Sequence, residues 1–252
     1  QTGGDTITFL QLIENLTFVE AVQRLADRTG VQLRIIDDGT PSTPPGMRTQ
    51  ILAANDAAAE FFRRQMLSDE GAIARDFVTG RGFTREHAEY FGMGYAPKGG
   101  HVLRDHLLAQ GFTPQVLVAS GLVRDSGWDF FQGRVLWPIK DSAASVLGFG
   151  ARRVWDDDRM PAKYVNTPET PVYKKSHVLY GLDLARTNIG RKNQVVVVEG
   201  YTDVMAMHVA GIDTAVASCG TAFGPEHAHL VQRLMGNRGA LNGEVIFTFD
   251  GD

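Results

Sequence analysis

Residues 195–203 read Val-Val-Val-Val-Glu-Gly-Tyr-Thr-Asp, and this stretch decides the fold of the C-terminal part of the chain. The four valines predict a buried strand, Gly200 allows a tight turn, and residues 202–210 predict a helix. The alternation continues with a strand, a helix that begins at a proline and a further strand, over residues 214–217, 225–235 and 245–249. This βαβαβ order predicts a parallel sheet with right-handed crossovers.

Acidic residues follow the first and third of these strands. Glu199 ends the first strand, and Asp250 and Asp252 end the third. If the two strands are neighbours, three carboxylates converge at the edge where open parallel sheets bind ligands. Their charges repel one another unless a cation lies among them, and a small set of hard oxygen ligands favours Mg²⁺. The alternative is a solvated Asp-Gly turn. Asp203 either complements the dipole of its helix or supports the metal.

The patterns upstream of this unit indicate helices and an antiparallel hairpin. Residues 5–29 predict two short helices, and residues 37–46 predict a linker because they contain three prolines and two glycines. The remaining patterns predict mostly helices, then a hairpin, then an extended surface loop, over residues 50–120, 128–151 and 152–175. Gly148-Phe149-Gly150 is not a dinucleotide-binding fingerprint, since no strand-to-helix context follows it.

Composition excludes several classes of protein. The chain has 252 residues, 43% hydrophobic and 21% charged, which is typical of globular proteins. Its purely apolar stretches are a few residues long, so no membrane-spanning helix is expected, and residues 1–5 lack the features of a signal peptide. The single cysteine, Cys219, excludes an internal disulfide and a cysteine-based zinc cluster. We therefore expect a cytoplasmic location.

The net charge of −4 conceals two segments of opposite sign. Residues 151–192 carry nine basic and five acidic side chains, whereas residues 193–252 carry two basic and seven acidic ones. This division predicts a track for a polyanion beside an acidic, cation-binding site. The alternative is a chance distribution of charges over a solvated surface. His227 and His229 are two residues apart, which is not the spacing of shared ligands on a helix, and we interpret them as structural or exposed.

Several motifs resemble the Toprim domain and, more specifically, the bacterial DnaG-type primases. Glu199-Gly200-Tyr201-Thr202-Asp203-Val204, followed by Phe249-Asp250-Gly251-Asp252, resembles Toprim. The stretches that resemble DnaG-type primases occur in the family's order, and they are Arg81-Gly82-Phe83-Thr84, Gly92-Met93-Gly94-Tyr95-Ala96-Pro97, Gly133-Arg134-Val135, Gly148-Phe149-Gly150-Ala151-Arg152, Lys163-Tyr164-Val165-Asn166-Thr167-Pro168-Glu169-Thr170 and Leu179-Tyr180-Gly181-Leu182.

The resemblance implies an α/β fold, with a mixed α+β N-terminal subdomain followed by a parallel-sheet Toprim βαβαβ unit that is incomplete at its C-terminus. It implies four parts. Residues 1–35 are a helical tail after an absent zinc ribbon, and residues 36–49 are a linker. Residues 50–190 are the basic N-terminal subdomain, and residues 191–252 are the first part of Toprim.

The resemblance also implies synthesis of RNA primers at replication forks, by Mg²⁺- or Mn²⁺-dependent transfer of ribonucleotides on single-stranded DNA. Glu199, Asp250 and Asp252 would be the catalytic metal ligands, with Asp203 in support. The residues implied to bind template and nucleotide phosphates are Arg81, Arg134, Arg152, Lys163 and Lys175. No zinc is expected outside the absent ribbon.

The implied partners are the DNA template, ribonucleoside triphosphates, the RNA primer and, through an absent C-terminal domain, the replicative helicase. The implied location is the cytoplasm at the bacterial nucleoid, with no membrane partner. Two alternatives stay open, because a Toprim nuclease would use the same carboxylates and a catalytically incomplete fragment would only bind single-stranded DNA.

Overall fold

The computed structural model describes residues 5–14, 16, 18–31, 46–158, 160–218, 220–236 and 243–249. The chain forms two compact units, residues 1–50 and residues 51–252. Three of the residues considered above, Cys219, Asp250 and Asp252, lie outside the described residues. None of the helices in the described ranges is long and apolar enough to cross a bilayer.

The first unit contains the two helices that the sequence predicts, α1 (Thr6–Glu14) and α2 (Phe18–Thr29). The Asp5 carboxylate caps α1 by accepting a hydrogen bond of 2.8 Å from the Thr8 N–H. An ion pair of 2.8 Å between Glu14 and Arg24 joins the two helices. The prediction of two short helices is therefore confirmed.

Five helices follow, and they are α3 (Met47–Gln65), α4 (Ala72–Gly80), α5 (Arg85–Tyr90), α6 (Val102–Ala109) and α7 (Pro114–Ala119). The Thr84 and Thr113 hydroxyls cap α5 and α7, each accepting a backbone N–H at 3.3 Å. Helix α6 is capped from a distance, because the buried Asp129 carboxylate accepts the N–H groups of Leu103 and Arg104 at 2.9 Å each. Local signals thus start two helices, and tertiary structure caps a third.

An antiparallel sheet packs with these helices. Its four strands, in sheet order, are β1 (Gly94–Ala96), β2 (Arg134–Lys140), β3 (Val146–Arg153) and β4 (Tyr164–Asn166). Strands β2 and β3 form the predicted hairpin, and the Asp141 carboxylate stabilises its turn by accepting two backbone N–H groups at 2.9 Å. Strand β4 lies within residues 152–175, where we expected only loop, so that expectation is wrong for these three residues. A strand this short has too few residues to show alternation, and its pairing with β3 defines it.

The second sheet is mixed, with strand order β5-β7-β6-β8. The elements, in chain order, are β5 (Leu179–Tyr180), α8 (Leu182–Lys192), β6 (Gln194–Val198), α9 (Tyr201–Val209), β7 (Ala215–Ser218), α10 (Pro225–Leu234) and β8 (Glu244–Thr248). Strand β6 is central and pairs in parallel with both β7 and β8, which confirms the βαβαβ prediction and the predicted α/β fold class. The sequence patterns did not predict β5, which pairs antiparallel to β7.

The titration of Asp129 gives a prediction about stability. Burial raises the pKa of Asp129 to about 6, whereas an unfolded aspartate titrates near about 3.9. The folded state therefore binds this proton more tightly than the unfolded state does, and protonation of Asp129 stabilises the fold. This stabilisation is complete below about pH 4 and is lost as the pH rises through about 6. We expect Asp129→Asn to reduce the fall in unfolding free energy between pH 4 and 6 by about 1–3 kcal/mol.

Urea unfolding at several pH values measures how steeply the unfolding free energy falls between pH 4 and 6. The variant is also expected to be less stable at every pH, because an amide offers one acceptor to two N–H groups. Asp125→Asn, an exposed aspartate in the same segment, is the control. If the unfolding free energy of Asp129→Asn changes with pH as steeply as that of wild type, another group titrates in this range.

Candidate active site

Glu199 lies at the carboxyl end of the central strand β6, as the sequence predicts. Its side chain is exposed and lines an open cleft of about 550 Å³. The other residues that line the cleft are Ser218, Thr221, Ala222, Phe223, Phe247 and Phe249. Since Val198 pairs with Ala217 on one side and Thr248 on the other, the chain leaves all three strands at this edge. The cleft thus combines a carboxylate with an aromatic wall.

Asp203 has a defined structural contact. Its carboxylate accepts a hydrogen bond of 3.0 Å from the Gly200 N–H and so caps α9. This contact supports the helix-terminus interpretation of Asp203 and leaves its role as a metal ligand a prediction. Within the described ranges there is no group of three or more histidine, cysteine, aspartate or glutamate side chains that could hold a metal. Asp250 and Asp252 lie outside the described residues, so Glu199 is the one predicted ligand of the acidic trio that the structure places.

Tyr201 anchors the turn after Glu199 to the antiparallel sheet. Its ring stacks on Trp137, with centroids 5.1 Å apart and planes 10° apart. It packs against the Tyr180 ring in a T-shaped arrangement, with centroids 4.8 Å apart. Its hydroxyl donates a hydrogen bond of 2.7 Å to the Asn166 side-chain oxygen. A Cβ on Gly150 would lie 2.1 Å from this ring, so the absence of a side chain there makes room for it. Tyr201 is therefore a buried packing residue.

Two of the predicted basic residues share one aromatic ring. The Arg81 and Arg152 guanidinium carbons lie 5.5 Å and 4.5 Å from the centroid of Phe77. Lys163 is exposed and directly precedes Tyr164, which pairs with Arg152 across β3 and β4. The structure therefore brings Arg81, Arg152 and Lys163 to one region of the antiparallel sheet. Lys175 lies elsewhere, on a 3₁₀ turn beside α10.

Arg134 differs from the other predicted phosphate ligands because its side chain is 1% exposed. Its guanidinium forms an ion pair of 2.8 Å with Asp158 and donates to the carbonyls of Met160 and Ala162 at 3.1 and 3.0 Å. Burial lowers the pKa of this guanidinium, and the Asp158 charge opposes that effect. A direct phosphate contact by Arg134 would require these internal contacts to open, and the predicted role stays a prediction.

A second cleft of about 550 Å³ combines aromatic rings with cations, and the sequence interpretation missed it. Lys98 Nζ lies 3.9 Å from the Trp155 ring centroid, and the Arg124 guanidinium carbon lies 5.0 Å from that of Phe130. Trp128 is exposed, and it covers Gly100 so closely that a Cβ there would lie 2.0 Å from the indole. Stacking surfaces beside cations are typical of single-strand binding sites. The scattered tryptophans were the available signal in the sequence.

Comparisons with known proteins agree with both parts of this arrangement. A family model described as the DNA primase catalytic core, N-terminal domain, matches residues 61–186, and a Toprim domain model matches residues 193–252. The DNA primase of Mycolicibacterium smegmatis is 51% identical over 99% of this chain. The chain spans about 40% of the length of that relative.

Two crystal structures of the RNA polymerase domain of Mycobacterium tuberculosis primase DnaG are similar, each with a TM-score of 0.79 and 55% identity. Each match covers 81% of this chain. The matches cover 67% of the first of these chains and 65% of the second, which is in complex with a double-stranded DNA oligomer that has a 6-nucleotide overhang.

The close approach of Tyr201 to Gly150 gives a prediction about packing. Gly150→Ala would place a methyl group in the space of the tyrosine ring, and overpacking of this kind costs about 1–3 kcal/mol. Urea unfolding is expected to show that loss. The matched control is Gly80→Ala, at an exposed helix end with nothing within 4 Å, which should be neutral or more stable by up to about 1 kcal/mol. Equal stability of the two variants would contradict the packing described here.

Proposed function

Because this chain belongs to the DnaG-type family of DNA primases, we propose that it synthesises RNA primers by joining ribonucleotides on a single-stranded DNA template. The observation that carries the proposal is the parallel pairing of β6 with β8. That pairing brings the end of β6, with Glu199, to the edge from which the chain continues into Asp250-Gly251-Asp252. An exposed carboxylate that opens on a cleft, with two more carboxylates next in sequence, fits a hard divalent cation.

The proposed ligands of Mg²⁺ or Mn²⁺ are Glu199, Asp250 and Asp252. When bound, such an ion supplies the acidity that activates a 3′-hydroxyl and neutralises charge on the triphosphate. Glu199 would hold its ligand oxygens at the strand end, because the Tyr201 ring and the Asp203 cap fix the turn that follows. Asp203 supports the site through the Gly200 N–H, whether or not it also contacts the ion.

The template strand is proposed to bind along the antiparallel sheet. Arg81, Arg152 and Lys163 supply charge in one region, and the cleft formed by Lys98, Arg124, Trp128, Phe130 and Trp155 supplies stacking surfaces. A single strand needs both a cationic path and ring faces for its unpaired bases. The overhang-bearing DNA in the complex of a similar polymerase domain supports a DNA partner.

Lys175 is proposed to bind the triphosphate of the incoming ribonucleotide, and Arg134 to shape the floor of the second cleft through its ion pair with Asp158. Residues 50–190 would form the basic subdomain and residues 191–252 the Toprim part, as in the family. The RNA primer and the replicative helicase are further proposed partners of the protein that contains this chain, at the bacterial nucleoid.

The proposal predicts that Glu199→Gln abolishes primer synthesis. The removal of one charged ligand should lower the rate by at least about 100-fold, because metal charge stabilises the transition state directly. Without metal the variant should be as stable as wild type or slightly more so, since like-charge repulsion is relieved. The matched control is Glu244→Gln, an exposed carboxylate at the opposite end of β8.

Thermal melts with and without Mn²⁺, together with product analysis on a DNA template with ribonucleotides, test this prediction. Mn²⁺ should raise the wild-type midpoint and barely move that of Glu199→Gln. An equal shift in both proteins, or unfolding of Glu199→Gln in the absence of metal, would contradict the metal site. Cleaved DNA in place of elongated RNA would instead indicate a Toprim nuclease.

If the template follows this path, loss of a cation and loss of a stacking ring should affect single-strand binding in different ways. Three to five phosphate contacts give a slope of about −2 to −4 in log affinity against log salt, at about −0.7 per phosphate neutralised. Lys163→Ala should flatten the slope by about 0.7. Trp128→Ala should leave the slope unchanged and weaken single-strand binding by about 1–3 kcal/mol.

Fluorescence anisotropy of a labelled oligonucleotide at several salt concentrations measures both quantities. Lys192→Ala is the control, because that lysine is paired with Asp213 at 2.6 Å, far along the chain from the proposed path. Affinity that does not respond to salt would place the template elsewhere.

A further inference from the structure

The 3₁₀ turn Lys175–His177 is held at its first residue from two sides. The Lys175 N–H donates a hydrogen bond of 3.0 Å to the Glu169 carboxylate, and the Lys175 carbonyl lies 3.1 Å from His227 Nε2. Glu169 lies three residues after β4 of the antiparallel sheet, whereas His227 lies on α10, between β7 and β8 of the mixed sheet in the sequence. Both main-chain polar groups of Lys175 are therefore fixed, each by a different part of the fold.

The hydrogen bonds of His227 define its tautomer. The side chain is 1% exposed, and its Nδ1 accepts a hydrogen bond of 3.1 Å from the Gly224 N–H at the start of α10. Since Nδ1 is the acceptor, the ring proton resides on Nε2 and is donated to the Lys175 carbonyl. One imidazole thus caps a helix with one nitrogen and holds the Lys175 main chain with the other.

His227 also adjoins the cleft that contains Glu199. The centroid of its ring lies 5.4 Å from that of Phe223, which lines the cleft. The Phe223 ring in turn packs against the Phe247 ring, with centroids 5.2 Å apart. The Lys175 turn is consequently tied to the wall of the candidate active site through a single buried residue. The sequence gives no sign of this link, because residues 175 and 227 are 52 positions apart.

We propose that His227 is a positioning residue that fixes the main chain of Lys175, so that the lysine ammonium meets the phosphates of a nucleoside triphosphate in this cleft. The inference rests on the proposed function, which assigns Lys175 to the triphosphate. A lysine side chain has several rotatable bonds, and its contact with a phosphate costs less entropy when the main chain that carries it is already held. Loss of the His227 donor should therefore weaken triphosphate binding without removing any group that touches the nucleotide.

Two substitutions separate the two nitrogens. His227→Asn keeps an acceptor near the position of Nδ1 and caps α10, but it is too short to reach the Lys175 carbonyl. His227→Gln keeps a donor near the position of Nε2 and loses the short acceptor for Gly224. His229→Asn, an exposed histidine on the same helix, is the matched control.

We expect His227→Asn to raise the KM for ATP and GTP in primer synthesis about 5- to 10-fold, with kcat within about 2-fold and a thermal midpoint near that of wild type. His227→Gln should restore KM toward the wild-type value while it lowers the midpoint. Lys175→Ala should raise KM at least as much, and Lys175→Ala with His227→Asn should be no worse than Lys175→Ala alone, because both act through one contact. Calorimetric binding of ATP with Mg²⁺ repeats the comparison without turnover.

The outcomes distinguish the inference from its premise. If Lys175→Ala leaves KM and ATP affinity unchanged, the assignment of Lys175 is wrong and the inference falls with it. If Lys175→Ala weakens ATP binding and His227→Asn does not, the inference is wrong and the proposed function stands. Should His227→Asn fail to fold, His227→Gln decides the matter, since a wild-type KM despite reduced stability supports the inference and a raised KM overturns it.

Discussion

The packing of one tyrosine ring determines where the Glu199 carboxylate lies. Tyr201 follows Glu199 by two residues, and its ring is held between Trp137 and Tyr180 over the bare backbone of Gly150. The hydroxyl is fixed as well, by Asn166 of the edge strand β4. Because displacement of a buried aromatic ring leaves a cavity, this packing opposes movement of the turn that presents Glu199.

This contact joins the antiparallel sheet to the mixed sheet. The antiparallel sheet carries Arg152, with Arg81 and Lys163 beside it, whereas the mixed sheet carries the carboxylate of Glu199 at its edge. If the two sheets moved independently, a substrate bound by one would not be in register with the other. Because Tyr201 packs against both sheets, the basic residues beside one sheet keep their position relative to Glu199 at the edge of the other. Binding of a polyanion next to a divalent cation requires such a fixed arrangement.

The sequence predicted the features that have local causes. Four valines and a following glycine specify β6 and its turn, Pro225 starts α10, and Asp141 closes a hairpin of two mostly buried strands. What the sequence could not show depends on distant partners. Strands β4 and β5 exist through pairing, and the second cleft assembles aromatic residues far apart in the chain. The burial of Arg134 likewise depends on Asp158, and nothing in the spacing of basic residues reveals it.

The capping of α6 by Asp129 has a consequence for the order in which the chain acquires structure. The acceptor of the Leu103 N–H lies 26 residues further along the chain. At a synthesis rate of about 5–20 residues per second, the ribosome adds Asp129 about 1–5 seconds after Leu103. During that interval the helix has no acceptor for its first N–H groups, and a short helix alone is marginal in water. The nascent segment 102–109 is thus committed to its helix only when the loop that carries Asp129 emerges.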